Sequence, residues 1–220
     1  GVRRLDGMIV SHADRDHAGG ALSVIEAVPV AWLLTSLADD HEISALPVAH
    51  RLCRDGEAWD WDGVRFELLH PALADYERAR RSNDLSCVLK VTAAGRSVLL
   101  TSDIEARAES ALATRHRGRL AADVLLVPHH GSRTSSTADF IAAVGASTAI
   151  FPLGYRNRFG HPKAEVVARY DGARLWRTDR DGAVGVHLGG GGVTILAERA
   201  ERRRYWHQGS LSPAPFPRGG

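Results

Sequence analysis

Six consecutive positions, 12 to 17, hold His12, Asp14, Asp16 and His17, within the stretch VSHADRDHAGG. Imidazoles and carboxylates bind divalent cations when their lone pairs converge to within about 2.0–2.6 Å of one point. In extended backbone alternate side chains face the same way. His12, Asp14 and Asp16 can therefore converge, and His17 can join them from a turn. Gly19 and Gly20 leave the chain free to bend sharply into a following helix.

Three further stretches carry compatible chemistry. In LLTSDI, Asp103 follows an apolar run. A carboxylate there can bridge two cations or cap a helix starting at Ile104. In VPHHGS, one of His129 and His130 can ligate while the other hydrogen-bonds or faces substrate. The hydroxyls of Ser132, Thr134, Ser135 and Ser136, with the N–H groups that open the next helix, suit a phosphate. In NRFGHP, His161 sits between Gly and Pro in a loop, placed to contact substrate or transfer a proton. His41, His50, His116, His187 and His207 lack such company and read as surface or core residues.

These clusters need elements to hold them. Apolar runs predict strands at Leu5–Val10, Val30–Leu34, Cys87–Val91, Ser97–Thr101, Asp123–Val127 and Thr148–Phe151. Trp59–His70 alternates about an Asp-Gly turn, which predicts a hairpin with Trp59 and Trp61 on one face. Helical spacing covers Ala21–Val28, Ile104–Thr114, Thr137–Val144 and Lys163–Tyr170. Strands at Arg174–Thr178, Ala183–Leu188 and Val193–Leu196 close the pattern, and the charged stretch Ala72–Ser82 reads as a loop. Strands flanked by helices throughout predict an α/β fold of sheets covered by helices.

Composition narrows the class. The chain has 220 residues and 44% hydrophobic content, enough for one sizeable domain. No run of 18 apolar residues predicts a membrane span. A net charge of +2 is too small to argue nucleic-acid binding by itself. The cations are nearly all Arg, 26 against Lys90 and Lys163. That excess reads first as genomic base composition, and second as guanidinium groups selected for phosphate. Cys53 and Cys87 suggest neither a disulfide framework nor a thiolate zinc site, and Cys87 reads as core. The chain begins at Gly1 and enters an apolar strand with nothing ahead to pair with it, so the first strands are expected upstream. Residues 1–200 are expected to form one domain, with 201–220 a disordered tail rich in Arg, Pro, Ser and Gly.

In order, SHADRDHAGG, LTSDI and PHHGS resemble the motifs of the metallo-β-lactamase fold. SNDLSCVL, FPLGYRNRFGHP and WRTDRDGAV add a more specific likeness, to the hydrolase domain of ComEC-type DNA internalisation proteins. The likeness covers residues 3–188. It implies a four-layer αβ/βα sandwich with a metal site at one edge between two sheets. It also implies a parent in the bacterial inner membrane that passes single-stranded DNA inward beside other uptake machinery. This domain would then lie on the periplasmic or extracellular face and degrade the strand that is not taken up.

The sequence departs from the common superfamily pattern His-x-His-x-Asp-His. Asp14 stands at the second histidine, and Asn83 stands where a further histidine is usual. ComEC-like proteins share such replacements. Carboxylate and amide in place of imidazole harden the site and favour Mn²⁺, with Mg²⁺ or Zn²⁺ as alternatives. One cation is expected between Asp16, His17, Asp103 and His130, with His129 the alternative to His130. A second, weaker one is expected by His12, Asp14 and Asp103, with Asn83 a further candidate. Water activated there would attack phosphorus, with Asp16, Asp103 and His161 at the chemistry and His161, Asn83 and Ser132 orienting the phosphate. The competing expectations are a small-molecule metallo-hydrolase, such as a lactonase or thioesterase, and a non-catalytic module that guides DNA.

Overall fold

A computed structural model describes residues 1–202 of the chain. The elements run β1 (Met8–Val10), α1 (Arg15–Ala18), α2 (Ala21–Ala27), β2 (Trp32–Thr35), β3 (Ala49–Leu52), β4 (Ala58–Trp61), β5 (Val64–His70) and α3 (Leu73–Tyr76). They continue with β6 (Val88–Ala93), β7 (Arg96–Leu100), α4 (Ala106–Arg115), β8 (Val124–Leu126), α5 (Ala138–Val144), β9 (Thr148–Phe151) and α6 (Ala164–Ala168). The last are β10 (Arg174–Arg177), α7 (Thr178–Asp181), β11 (Val184–Gly189), β12 (Gly192–Ala197) and α8 (Glu198–Glu201).

β1, β2 and β3 make a parallel three-stranded sheet. A second sheet has seven strands in the order β10-β9-β8-β7-β6-β5-β4. Its β7–β10 half is parallel and its β4–β7 half is an antiparallel meander. β11 and β12 form a separate hairpin that approaches β6 and β7.

Successive strand residues point to opposite faces, and here both faces find apolar cover. In β2, Leu33 packs with Val10, Ala18 and Ala21 on the side of α1 and α2. Its neighbour Leu34 packs with Leu68 and Leu89 between the two sheets. The same alternation separates Leu68 from Leu69, Leu89 from Val88 and Leu100 from Leu99. Leu69, Val88 and Leu99 meet Ala108 and Leu112 of α4, Phe140 of α5 and Val166 of α6. Three apolar clusters thus separate four layers, helix–sheet–sheet–helix, the arrangement the motifs implied. Trp59 stacks on Phe66 in the middle cluster, with ring centroids 5.1 Å apart. Trp61 shares its strand parity but is 41% exposed, because that face runs out of the sandwich there.

Four local readings change. Ala72–Ser82 contains α3, started where the Asp75 carboxylate accepts the Ala72 N–H at 2.8 Å. β3 was not expected, because its alternation of exposed and half-buried residues lacks an apolar run. α4 begins at Ala106 with Glu105 at its cap position, so Asp103 is not the cap. The cysteines are the largest correction: Cys53 and Cys87 are buried and joined in a disulfide. Cys53 follows β3 in one sheet and Cys87 precedes β6 in the other, and the inter-sheet core brings their Cα atoms to 5.9 Å. The expected tail from residue 201 falls mostly outside the described residues, which end at 202.

The bridge closes a sequence separation of 34 residues. Replacing both cysteines by Ala is expected to lower the unfolding free energy by about 2–4 kcal/mol. Denaturant titration checks this. Adding reductant should destabilise the wild type and leave the double variant unmoved.

Candidate metal centre

Ligand-type residues collect where strands of both sheets end. β7, β8 and β9 are adjacent and parallel, so the loops after them leave from one sheet edge. These loops carry Asp103, His129 with His130, and His161. The loop after β1 in the other sheet brings His12, Asp14, Asp16 and His17 to the same place. Crevices outside the carboxyl ends of parallel strands are the usual location of such sites.

Asp103 is at the middle, 4% exposed. His17 Nε2 lies 3.2 Å from Asp103 Oδ1. His130, His12 and His129 place their Nε2 atoms 3.5, 3.9 and 3.9 Å from Oδ2. Asp16 Oδ2 is 3.4 Å from His130 Nε2, and Asp14 Oδ2 is 3.8 Å from His12 Nε2. One ligand atom from each of Asp16, His17, Asp103 and His130 lies within 4.8 Å of the other three. The Nε2 atoms of His12, His17 and His130 are buried with no hydrogen-bond partner. Buried polar atoms are seldom left unpaired. Three of them aimed at one carboxylate is a donor arrangement that fits a divalent cation.

The opposite ring nitrogens are held. His130 Nδ1 is 2.7 Å from the Pro152 carbonyl. His12 Nδ1 lies 3.1 Å from Ser11 Oγ and 3.2 Å from Ser102 Oγ. Ser11 Oγ also reaches His17 Nδ1 at 3.4 Å. Such outer contacts fix the ring orientation and tautomer of metal-binding histidines. Ser102 joins three loops: its hydroxyl donates to Ser11 Oγ at 2.7 Å and its carbonyl accepts the His129 N–H at 3.0 Å.

The backbone is strained at the same spot. Ser102, His129 and His130 have φ of 51°, 47° and 54°, followed by Gly131 at 76°. Left-handed conformations of non-glycine residues cost about 1–3 kcal/mol each, and such strain concentrates at functional sites. At Gly131 a side chain has no room, since a Cβ would stand 2.8 Å from Pro162 Cβ and 3.0 Å from Phe151.

Burial by itself would raise the Asp103 carboxyl, but the His130 and His17 nitrogens outweigh it and hold Asp103 below the usual carboxylate range. The Asp103 carboxylate pushes His130 up to about 9, against the effect of burial. His12 is pushed the other way, down to about 4, by burial and then by His17. His161 is lowered by burial, Lys163 and the neighbouring histidines.

Of the residues expected from sequence, His12, Asp14, Asp16, His17, Asp103, His129 and His130 come together. Both members of the histidine pair face Asp103. His129 Nδ1 turns to Glu105 Oε1 at 3.4 Å and Thr134 Oγ1 at 3.2 Å, while His130 joins the four-residue cluster. The His161 ring centroid lies 6.2 Å from that of His129. Ser132 reaches the centre indirectly, its hydroxyl 3.1 Å from Thr134 Oγ1. Asn83 is buried in the turn Ser82–Leu85, which Ser82 ties to the ligand loop by accepting the Ala13 N–H at 2.8 Å. Sequence reasoning missed Ser11, Ser102 and Glu105. Serines give no spacing signal, and Glu105 offered only its nearness to Asp103.

The chain matches the Metallo-beta-lactamase superfamily over residues 1–155. It belongs to that superfamily. Its fold agrees: Igni18, a metallo hydrolase of the archaeon Ignicoccus hospitalis, is similar at a TM-score of 0.51 and 16% identity, covering 87% of this chain and 79% of that one. Among proteins similar in sequence, Competence protein ComA of Neisseria gonorrhoeae is 37% identical over 215 residues, 94% of this chain and 29% of that protein. Recombination protein 2 of Haemophilus influenzae is 36% identical over 165 residues, 75% of this chain and 20% of that protein. The chain therefore spans less than a third of the length of these relatives. No helix among the described residues is long and apolar enough to cross a membrane.

Two outcomes are expected. Ser11→Ala should weaken Mn²⁺ binding about 10–100-fold, and Asp103→Asn should weaken it further, both by calorimetric titration of chelator-stripped protein. In the stripped protein a lowered imidazole stays neutral above its midpoint and a raised one stays charged below it. Ring NMR signals of His12 should thus hold steady from pH 8 to about 5, while those of His130 should move with a midpoint near 9.

Proposed function

We propose that this metallo-hydrolase domain is a nuclease or phosphodiesterase that cuts single-stranded DNA. The observation that carries the reading is the buried Asp103 faced by four imidazoles, three of them with unpartnered Nε2 atoms. Asp16, His17, Asp103 and His130 would hold one divalent cation, and His12, Asp14 and Asp103, with Asn83, a second. The carboxylates at positions 14, 16 and 103 supply hard oxygen donors, which favours Mn²⁺, or Mg²⁺, over Zn²⁺. A cation bound there supplies Lewis-acid charge for phosphoryl oxygens and makes water a better nucleophile at neutral pH.

The chain's own groups position the ester. His161 stands next to His129, where it can meet a non-bridging oxygen or give a proton to the leaving one. Ser132 and Thr134 steady His129 through their hydroxyls. Asn83 would help to orient the phosphate.

Similarity to a competence protein supports placement in a DNA-uptake system. We assign the domain to a larger channel protein of the bacterial inner membrane, acting with other uptake components. The Cys53–Cys87 bridge supports the periplasmic or extracellular face, because disulfides persist in oxidising compartments.

The purified chain should cut a single-stranded oligonucleotide with Mn²⁺ and stop with EDTA. Asp103→Ala should slow cutting by about two orders of magnitude or more. Turnover of lactones or thioesters without DNA cutting would overturn the reading, as would DNA retention with no hydrolysis under any of the three metals.

A further inference from the structure

The loop that carries His161 has a second character. Residues 154–163 read GYRNRFGHPK, with Arg156, Arg158 and Lys163 and no acidic residue. Tyr155 is 65% exposed and Phe159 59%. Seven large apolar residues are exposed among the described residues, and these two alone share a loop. Each ring has its own guanidinium: Arg156 lies 5.2 Å from the Tyr155 centroid and Arg158 lies 5.0 Å from that of Phe159.

Phe159 also connects to the metal centre. Phe159 stacks on His161, with centroids 5.9 Å apart and planes within 17°. His161 neighbours His129, which faces Asp103. A column of flat groups thus leads from solvent to the reacting site. It stands on a braced loop. Asn157 accepts the His161 N–H at 2.9 Å and donates to the His161 carbonyl at 2.8 Å. Lys163 Nζ donates to the Phe159 carbonyl at 2.8 Å, and the Lys163 N–H donates to the Gly131 carbonyl at 3.0 Å. Two large rings held open on one hydrogen-bonded loop offer a contact surface.

We propose that Tyr155 and Phe159 form a base-stacking platform that seats an unpaired nucleic-acid strand beside the metal centre, with Arg156 and Arg158 on its phosphates. Every base offers a π-face, so the seat tolerates any sequence, while guanidinium groups track the backbone. A duplex hides those faces, so the loop itself selects single strands. Aromatic and basic side chains also suit a lipid headgroup layer. The continuity of the ring column with His161 and His129 favours the strand. The inference rests on the nuclease reading but makes a separate claim, that strand selection resides in this loop and not in the cations.

A single-stranded oligonucleotide carrying 2-aminopurine tests it, bound to the full chain in EDTA so that nothing is cut. Binding should quench the fluorophore, and the same oligonucleotide in a duplex should bind more weakly. Tyr155→Leu with Phe159→Leu, which keeps apolar bulk and removes the π-faces, should lose the quench and about tenfold or more in affinity. Tyr155→Phe with Phe159→Tyr should retain both. The platform is overturned if the Leu variant binds and quenches like the wild type. It is equally overturned if the wild type quenches nothing and instead floats with anionic phosphatidylglycerol vesicles. Wild-type cutting in Mn²⁺, run alongside, separates the two claims. Cutting with no quench removes the platform alone, and quench without cutting supports the platform while removing the nuclease reading.

Discussion

One buried carboxylate organises this domain. Asp103 is almost wholly removed from solvent yet stays ionised because imidazoles surround it. Removing a charge from water costs several kcal/mol unless partners compensate. The chain supplies those partners from two loops, one from each sheet. Each of those loops must therefore be placed correctly for the charge to be tolerable. The arrangement explains why the strained backbone at Ser102, His129 and His130 persists: helices, sheet edge and hydrogen bonds over-determine it.

The sandwich serves this geometry directly. Parallel strands β7, β8 and β9 release their loops at one edge, and β1 does the same from the facing sheet. Between the sheets, Leu34, Leu68 and Leu89 pack with Trp59 and the Cys53–Cys87 bridge. That middle layer sets the spacing between the His12–His17 loop and the Asp103 loop. The Cys87 N–H donates to the Ser11 carbonyl at 2.9 Å, so the covalent tie sits one step from the ligand loop. Ser102 then locks the same region by meeting Ser11 on one side and His129 on the other.

Much of this was legible in the residues. HADRDH and PHHGS carry their chemistry in short spacing, and the local pattern also located β9 and the β4–β5 hairpin. Asp103 was legible only in company: alone it reads as a helix cap, and Glu105 holds that position. What failed to show was long-range. Nothing local says that Cys53 and Cys87 meet, because their closeness comes from sheets packing face to face. β3 escaped notice because an edge strand with one wet face needs no apolar run. Ser11 and Ser102 were invisible for a similar reason, since a serine has meaning here only through what lies across the gap.

The alternation in β7 has a further consequence. Leu99 and Leu100 belong to different cores, and the chain reaches Asp103 three residues later. Slipping β7 by a single residue would swap those two faces and swing the carboxylate out of reach of its ring nitrogens. Folding and chemistry therefore share one setting of one strand. A lineage could drift widely in side-chain identity along β7, yet tolerate no single-residue insertion or deletion there.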